Sequence, residues 1–171
     1  MRKDKPNLTF EELREKLITY ITDENDLDMI RKAYMLAFEK HFGVKRKSGE
    51  DYIIHPLNVA YILTEIYADA KTIQAALLHD VVEDTSITLD DLEQMFPKQV
   101  VEIVMLLTHD EKVDYFEYIR KIKTNAIATK VKLADIKHNS NEARSLGSNL
   151  TKEQLLYWKE KYAKAKEILL Q

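Results

Sequence analysis

Two adjacent side chains of types that commonly bind metals, His79 and Asp80, lie within the stretch Ala75-Ala-Leu-Leu-His-Asp-Val-Val-Glu-Asp-Thr85. The apolar positions of this stretch follow the period of an α-helix and predict a continuous, buried helix from Asp69 to about Glu83. Ionisable groups in such an apolar helix are costly unless they are paired or bind a metal. For a His-Asp pair taken alone, the alternative is structural: an imidazole bonded to a backbone carbonyl and an aspartate in a salt bridge.

The same stretch ends in two acids, Glu83 and Asp84. On a continuous helix, Glu83 lies one turn beyond His79 and Asp84 lies one turn beyond Asp80. The alternative is a solvated helix end, although acids near a helix C-terminus interact unfavourably with the helix dipole. A neighbouring dication would offset that penalty, so the stretch predicts a patch of four functional groups.

Helical patterns continue on both sides of this stretch. The chain has only 3 Gly and 3 Pro in 171 residues, which favours helices over a turn-rich β fold. We therefore predict an all-α fold, a compact helical bundle in one domain spanning 1–171, with residues 1–25 as a candidate N-terminal helical extension. Residues 44–54 are expected to form a loop. The other predicted helices are Thr9–Ile21, Asp28–Phe42, Pro56–Thr64, Leu89–Phe96, Pro97–Leu107, Asp114–Lys123, Asn125–Ala143 and Thr151–Leu170.

Composition narrows the chemistry further. The chain contains no cysteine, so any metal must be held by His, Asp or Glu. The formal net charge is -3 with both signs mixed along the chain, which argues against binding to a nucleic-acid polymer. The N-terminus is polar and no run approaches the ~18 apolar residues of a membrane span. We expect a cytoplasmic protein without a membrane partner, and the oligomeric state stays open.

A metal site with mixed ligands follows from these limits. His55 and Asp135 complete a set, with His79 and Asp80, in which two imidazoles and two carboxylates could converge from three different helices. This ligand mix suits Mn²⁺, Fe²⁺, Zn²⁺ or Mg²⁺. If the metal is six-coordinate, positions remain for water and a substrate oxygen, as hydrolysis requires.

The segment Lys45-Arg46-Lys47-Ser48, just ahead of His55, is the best anion-recognition segment in the chain. The alternative for an isolated basic triplet is an ordinary solvated loop. Its position before a proposed metal ligand favours a role in binding an anionic substrate.

Three motifs together resemble the hydrolase domain of the RelA/SpoT homologue family, within the HD superfamily. Their order and separations match that family, and the resemblance covers roughly residues 28–162. We find no synthetase domain after them, so the chain is similar to the small alarmone hydrolases. The motifs are Arg46-Lys-Ser-Gly-Glu-Asp-Tyr-Ile-Ile-His-Pro56, His79-Asp-Val-Val-Glu-Asp-Thr85 and Val131-Lys-Leu-Ala-Asp-Ile-Lys-His-Asn139.

The resemblance implies a metal and a reaction. The metal is usually Mn²⁺, and the reaction is hydrolysis of the 3′-pyrophosphate of ppGpp or pppGpp to GDP or GTP plus pyrophosphate. The resemblance also implies Glu83 and Asp84 as the acid-base pair beside the metal. The implied metal ligands are His55, His79, Asp80 and Asp135.

Substrate contacts are implied as well. Family members use residues matching Arg46, Lys47 and Ser48 around the nucleotide, with the guanidinium stacked on the base. Asn139, four residues after Asp135, matches a nucleotide-contacting Asn. Lys112 is a further candidate for phosphate contact, as is Arg144.

Alternatives remain for the function and for several side chains. The same metal chemistry could act on another phosphorylated nucleotide, such as a dinucleotide 2′-phosphate or a nucleoside monophosphate, or the chain could be a non-catalytic nucleotide-binding regulator. The other histidines, His41, His109 and His138, are interpreted as structural. The last helix carries an aromatic stripe interpreted as core packing, with contact to the nucleotide as the alternative; it comprises Tyr157, Trp158 and Tyr162.

Overall fold

The fold is all-α, as the sequence predicts. A computed structural model describes the backbone of residues 5–145 and 150–171, and the side chains of 5–141 and 150–171. Within these residues the β-structure is limited to one isolated bridge between Lys45 and Asp51. The predicted contact of Arg144 lies outside the described side chains.

Ten α-helices are described, and each predicted helix has an observed counterpart. A short 3₁₀ helix, Thr64–Ile66, directly follows the third α-helix. The helices are α1 Phe10–Leu17, α2 Glu24–Lys40, α3 Ile54–Leu63, α4 Ala70–Leu78, α5 Val81–Asp84, α6 Leu89–Glu93, α7 Lys98–Leu107, α8 Tyr115–Lys123, α9 Ala126–Ser145 and α10 Lys152–Leu170.

Side-chain caps explain where several helices begin. Thr9, Thr88 and Thr151 each accept a hydrogen bond from the backbone N–H three residues later, and the side chain at that third position bonds back to the cap. Such boxes satisfy donors that a helix start leaves without an intrahelical partner. The end of α2 is followed by Gly43 at φ +79°, a left-handed conformation that glycine adopts readily at a helix C-terminus.

Helix α4 lies at the centre of the fold. It packs against α2, α3, α7 and α9, and every residue of α4 except Lys71 is buried. The α1 side chains of Leu13 and Leu17 belong to the same hydrophobic cluster as the α4 side chains. One continuous core therefore holds the N-terminal helix and the central helix together.

The continuous helix predicted for Asp69–Glu83 is wrong. Helix α4 ends at Leu78, and α5 begins at Val81 after a bend at His79 and Asp80. Consecutive residues of a regular helix point about 100° apart, since a turn takes 3.6 residues. At this bend, His79 Nε2 and Asp80 Oδ2 lie 3.0 Å apart, so the two neighbouring side chains face the same point.

The start of α3 also differs from the expectation. Pro56 was predicted to be the first helical residue, but α3 begins at Ile54. Proline is tolerated here because the first four N–H groups of a helix have no intrahelical acceptor. His55 consequently lies within the first turn of α3.

No helix in the described ranges is both long enough and apolar enough for a membrane crossing.

Candidate metal centre

Three buried side chains from distant parts of the chain meet beside α4. His55 lies in the first turn of α3, His79 at the end of α4 and Asp135 in α9. One potential ligand atom from each lies within 4.8 Å of the others. The Nε2 atoms of His55 and His79 are 3.2 Å apart, and His55 Nε2 is 3.1 Å from Asp135 Oδ1.

The carboxylate of Asp80 lies next to these two imidazoles. Its Oδ2 is 3.0 Å from His79 Nε2 and 3.6 Å from His55 Nε2. The Asp80 side chain is 20% exposed, whereas those of the two histidines are almost fully buried. Two imidazoles and two carboxylates, the set expected from the sequence, are therefore grouped around one point that opens toward solvent through Asp80.

The hydrogen bond of His79 to the backbone fixes the orientation of its ring. His79 Nδ1 lies 2.7 Å from the backbone oxygen of Ala76. A carbonyl oxygen only accepts hydrogen bonds, so Nδ1 carries the proton and donates it. In the neutral ring, Nε2 then has a lone pair directed at the carboxylates, the arrangement typical of metal-binding histidines.

His55 is held by a second histidine, His138. Their Nδ1 atoms are 2.7 Å apart, so one of them donates and the other accepts. Burial, followed by the nearby His55, lowers the pKa of His138 to about 3, which keeps that ring neutral. When His138 Nδ1 accepts from His55 Nδ1, the Nε2 of His55 is left as a lone pair facing Asp135.

These residues fit a divalent cation. Two imidazole lone pairs 3.2 Å apart, with carboxylate oxygens 3.0 to 3.8 Å away, repel one another unless a positive charge lies among them. A proton on His79 can supply that positive charge. Burial alone would lower the pKa of His79, but the Asp80 carboxylate raises it to about 9. Imidazole and carboxylate are ligands that Mn²⁺, Fe²⁺ and Zn²⁺ accept.

Asp135 is held from three directions. Its Oδ2 accepts from Lys132 Nζ at 2.8 Å, and its Oδ1 accepts from Asn139 Nδ2 at 2.8 Å and faces His55. Lys132 and Asn139 lie three residues before and four after Asp135 on α9, so all three share one helix face. Burial would raise the pKa of Asp135, but the Lys132 ammonium holds it well below its usual range.

Glu83 and Asp84 lie in α5, at the edge of the group formed by His55, His79, Asp80 and Asp135, which we call the cluster. The Oε2 of Glu83 accepts a hydrogen bond from the backbone N–H of His109 at 2.9 Å, which fixes the carboxyl group. Burial and the neighbouring Asp80 raise the pKa of both Glu83 and Asp84. A carboxyl group whose pKa is raised toward neutrality is better suited to exchange protons.

Tyr52 is a site residue that the motif analysis quoted without assigning a role. Its hydroxyl donates a hydrogen bond to Asp80 Oδ2. Burial, followed by the Asp80 charge, raises the pKa of Tyr52 above its usual range, so the phenol stays protonated and remains a donor. Its position three residues before His55 is the only sequence signal for this contact.

A cavity of about 810 Å³ opens over the cluster. The loop before α3 forms one wall, and side chains of α8, α9 and α10 form another. The side chains that line it include Arg46, Lys47, Asp80, Glu83, Asp84, Tyr115, Lys132, Asp135, Asn139, Trp158, Lys161 and Tyr162.

The predicted substrate contacts are only partly brought together. Arg46, Lys47 and Asn139 line the cavity, whereas Ser48 and Lys112 do not. An Arg46 guanidinium nitrogen donates to Asn139 Oδ1 at 2.9 Å, which links the basic loop to the Asp135 side of the cluster. The roles of Ser48 and Lys112 stay predictions.

The aromatic stripe of α10 differs from the expected core packing. Tyr157 is 59% exposed, while Trp158 and Tyr162 are half-buried and line the cavity. The interpretation as a core stripe is therefore wrong for Tyr157. Helical spacing places these rings near one face, but it does not tell a core from a cavity wall.

Comparisons with known proteins identify relatives of this chain. Over 150 residues the chain is 41% identical to the bifunctional (p)ppGpp synthase/hydrolase SpoT of Escherichia coli strain K12, covering 81% of this chain and 21% of that protein. It is 40% identical over 147 residues to the GTP pyrophosphokinase rsh of Brucella ovis, covering 80% and 19%. The chain thus spans about a fifth of the length of these curated relatives.

A solved structure also resembles this one. It is described as a metazoan ortholog of SpoT that hydrolyzes ppGpp and plays a role in starvation responses. It superposes with a TM-score of 0.64 at 28% identity and covers 83% of both chains. The resemblance indicated by the sequence motifs is confirmed.

The model of the HD domain family matches residues 33–142, which include all four grouped histidine and aspartate residues. Because this match covers more than half of the chain, the protein belongs to the HD domain family.

Proposed function

We propose that this chain is a metal-dependent phosphohydrolase that removes pyrophosphate from the 3′ position of ppGpp and pppGpp, leaving GDP or GTP. The observation that carries the proposal is the grouping of His55, His79, Asp80 and Asp135 at the base of a cavity whose wall bears cationic side chains. The named activities of the SpoT relatives and of the metazoan ortholog support the choice of substrate.

The four grouped residues are the proposed metal ligands, and Mn²⁺ is the proposed metal. When bound, such a cation supplies Lewis-acid stabilisation of the attacked phosphate and makes water a stronger nucleophile. His55 and His79 offer Nε2 lone pairs because their Nδ1 atoms are engaged by His138 and Ala76. Asp80 and Asp135 contribute the negative charge that favours a dication over a proton.

Glu83 and Asp84 are the proposed acid-base pair. Because Glu83 Oε2 accepts the His109 N–H, its Oε1 is left to exchange a proton with the attacking water. Asp84 lies one residue further along α5 and lines the same cavity. The raised pKa of each group favours proton return to the leaving pyrophosphate.

The substrate contacts are proposed on the loop before α3 and on α9. Arg46 and Lys47 provide positive charge on the loop, and Asn139 orients the Arg46 guanidinium. Ser48 and Lys112 are retained as proposed contacts for the bound nucleotide. A cavity with several cations suits a substrate that carries two phosphorylated groups.

Product identification tests the proposal. The protein is reconstituted with Mn²⁺ and incubated with ppGpp, and the products are identified by phosphorus NMR. We expect intact pyrophosphate and GDP in equal amounts. Orthophosphate release from a nucleoside monophosphate or a dinucleotide 2′-phosphate at higher kcat/KM than for ppGpp would show instead that the metal chemistry serves another nucleotide.

A further inference from the structure

Lys161, on α10, is a lysine at the cavity wall whose ammonium group is surrounded by aromatic rings. Its Nζ lies 4.1 Å from the centre of the Tyr115 ring, 5.1 Å from that of Trp158 and 5.9 Å from that of Tyr157. Rings in these positions attract a cation through their electron-rich faces. They fix the position of the ammonium without neutralising its charge.

The ammonium of Lys161 has no carboxylate partner among the described side chains. Two other cavity lysines differ: Lys45 pairs with Asp51 at 2.6 Å and Lys132 pairs with Asp135 at 2.8 Å. Lys47, the fourth cavity lysine, lies on the loop before α3 and not on the wall that carries Lys161. Within the described residues, no acidic oxygen lies within 4.0 Å of Lys161 Nζ. Burial, with a smaller contribution from Lys132, lowers the pKa of Lys161, as expected for a partly desolvated cation that lacks an anion.

A row of contacts connects Lys161 to Asp135 of the cluster. Lys132, bonded to Asp135, lies 5.4 Å from the Tyr118 ring, whose centre is 6.0 Å from that of Tyr115. Tyr115 is the ring nearest to Lys161. Lys161 therefore lies on the same wall as the cluster but beyond Lys132, at a separate position in the cavity.

We propose that Lys161 binds the 5′-phosphates of the nucleotide whose 3′-phosphates lie at the metal centre. The inference rests on the proposed function, because that substrate carries a second anionic group on the far side of its ribose. The 5′-phosphates need a cation that is distant from the metal and not already paired. Lys161 lies beyond Lys132 in the row of contacts that leads away from Asp135, and it has no carboxylate partner among the described side chains. The aromatic rings hold it in place before the nucleotide arrives.

Substrate comparison tests this inference. KM and kcat are measured for ppGpp and for guanosine 3′-diphosphate, which lacks the 5′-phosphates. Lys161→Met should raise KM for ppGpp about tenfold, the loss of one charge-assisted contact. KM for guanosine 3′-diphosphate and both kcat values should stay within about twofold. Methionine keeps the length of the side chain and its packing on the rings.

Two further variants serve as controls. Lys161→Arg keeps the charge and should restore most of the affinity for ppGpp. Lys164, one turn further along α10, also stacks on an aromatic ring, with Nζ 4.2 Å from the centre of Phe116, but it does not line the cavity. Lys164→Met should leave both KM values unchanged. Equal losses in the two lysine variants, or equal losses of Lys161→Met on both substrates, would overturn the inference.

Calorimetry separates this inference from the proposed function. GDP and guanosine are titrated into the Mn²⁺-loaded protein and into the Lys161→Met variant. The inference stands, even for a protein inactive on ppGpp, if the variant loses affinity for GDP alone. It fails if the variant binds GDP as tightly as the wild type does, or if the wild type does not prefer GDP to guanosine.

Discussion

At the scale of single residues, the carboxylate of Asp135 shows how the site is organised. Lys132 holds one oxygen at 2.8 Å, and Asn139 and His55 contact the other. A carboxylate held in this way presents a defined face to a cation. Groups that orient a metal ligand commonly affect metal affinity about 10- to 100-fold.

Replacement of Lys132 by methionine tests this role. Lys132→Met should weaken Mn²⁺ binding by about 10- to 100-fold, because Asp135 loses both its orientation and its counter-charge. Calorimetric titration of the metal-free protein measures the change. Lys130→Met, on the same helix but away from the cluster, is the matched control and should bind Mn²⁺ as the wild type does.

Separate variants distinguish metal binding from proton transfer. His79→Ala should lose bound metal and activity together. Glu83→Gln should keep its metal and lose about a hundredfold or more in kcat, since it removes a proton-exchanging group without touching a ligand. Metal content by elemental analysis and turnover on ppGpp are measured on the same samples. A Glu83→Gln protein without metal would contradict the separation of roles.

At the scale of secondary-structure elements, α4 connects the hydrophobic core to the site. Its apolar side chains lie in the core, and its C-terminal end delivers His79 and Asp80 to the cluster. The bend before α5 then carries Glu83 and Asp84 to the rim of the same cavity. The positions of the proposed ligands and of the proposed acids therefore both depend on where α4 ends.

A cavity-forming substitution in α4 measures how much this helix contributes. Leu77 is 1% exposed, and Leu77→Ala should lower the free energy of unfolding by about 2–5 kcal/mol. Leu156 in α10 is 55% exposed, so Leu156→Ala should change it by less than about 0.5 kcal/mol. Urea unfolding followed by circular dichroism gives both values, and similar losses would contradict the central position of α4.

At the scale of the whole molecule, the proposed metal site can form only in the folded chain. Its proposed ligands come from α3, the α4–α5 bend and α9, which are far apart in sequence. An unfolded chain cannot hold them around one ion, so a metal that binds the folded form must stabilise it.

Metal removal should therefore lower the melting temperature. With free Mn²⁺ at a hundredfold excess over its dissociation constant, the expected stabilisation is about 2.7 kcal/mol. For a chain of this size, that corresponds to a rise in Tm of about 5–10 °C over the chelated protein. Calorimetric scans with and without a chelator measure it. His79→Ala should show no Mn²⁺-dependent shift, and an equal shift in that variant would place the metal elsewhere.

Local patterns in the sequence determined the fold class of this protein and most of its helices. Helical periodicity and capping residues predicted the all-α fold, and the observed helices begin or end within a few residues of the expected positions. The four residues proposed as ligands could also be named in advance. The cost of an unpaired His-Asp pair in an apolar environment singled out His79 and Asp80, and the resemblance to the RelA/SpoT hydrolase domain implied His55 and Asp135 as their partners. These properties depend on residue type and short spacing, which the sequence displays directly.

Only the tertiary structure decided how separate segments meet. The bend at His79 and Asp80, the contact between His55 and His138 and the aromatic surroundings of Lys161 all involve packing between elements. A helical period shows that residues share a face, but it does not show which helix or cavity that face meets. For that reason the grouped histidines and aspartates could be proposed from sequence, whereas the groups that orient them and the aromatic contacts of Lys161 at the cavity wall could not.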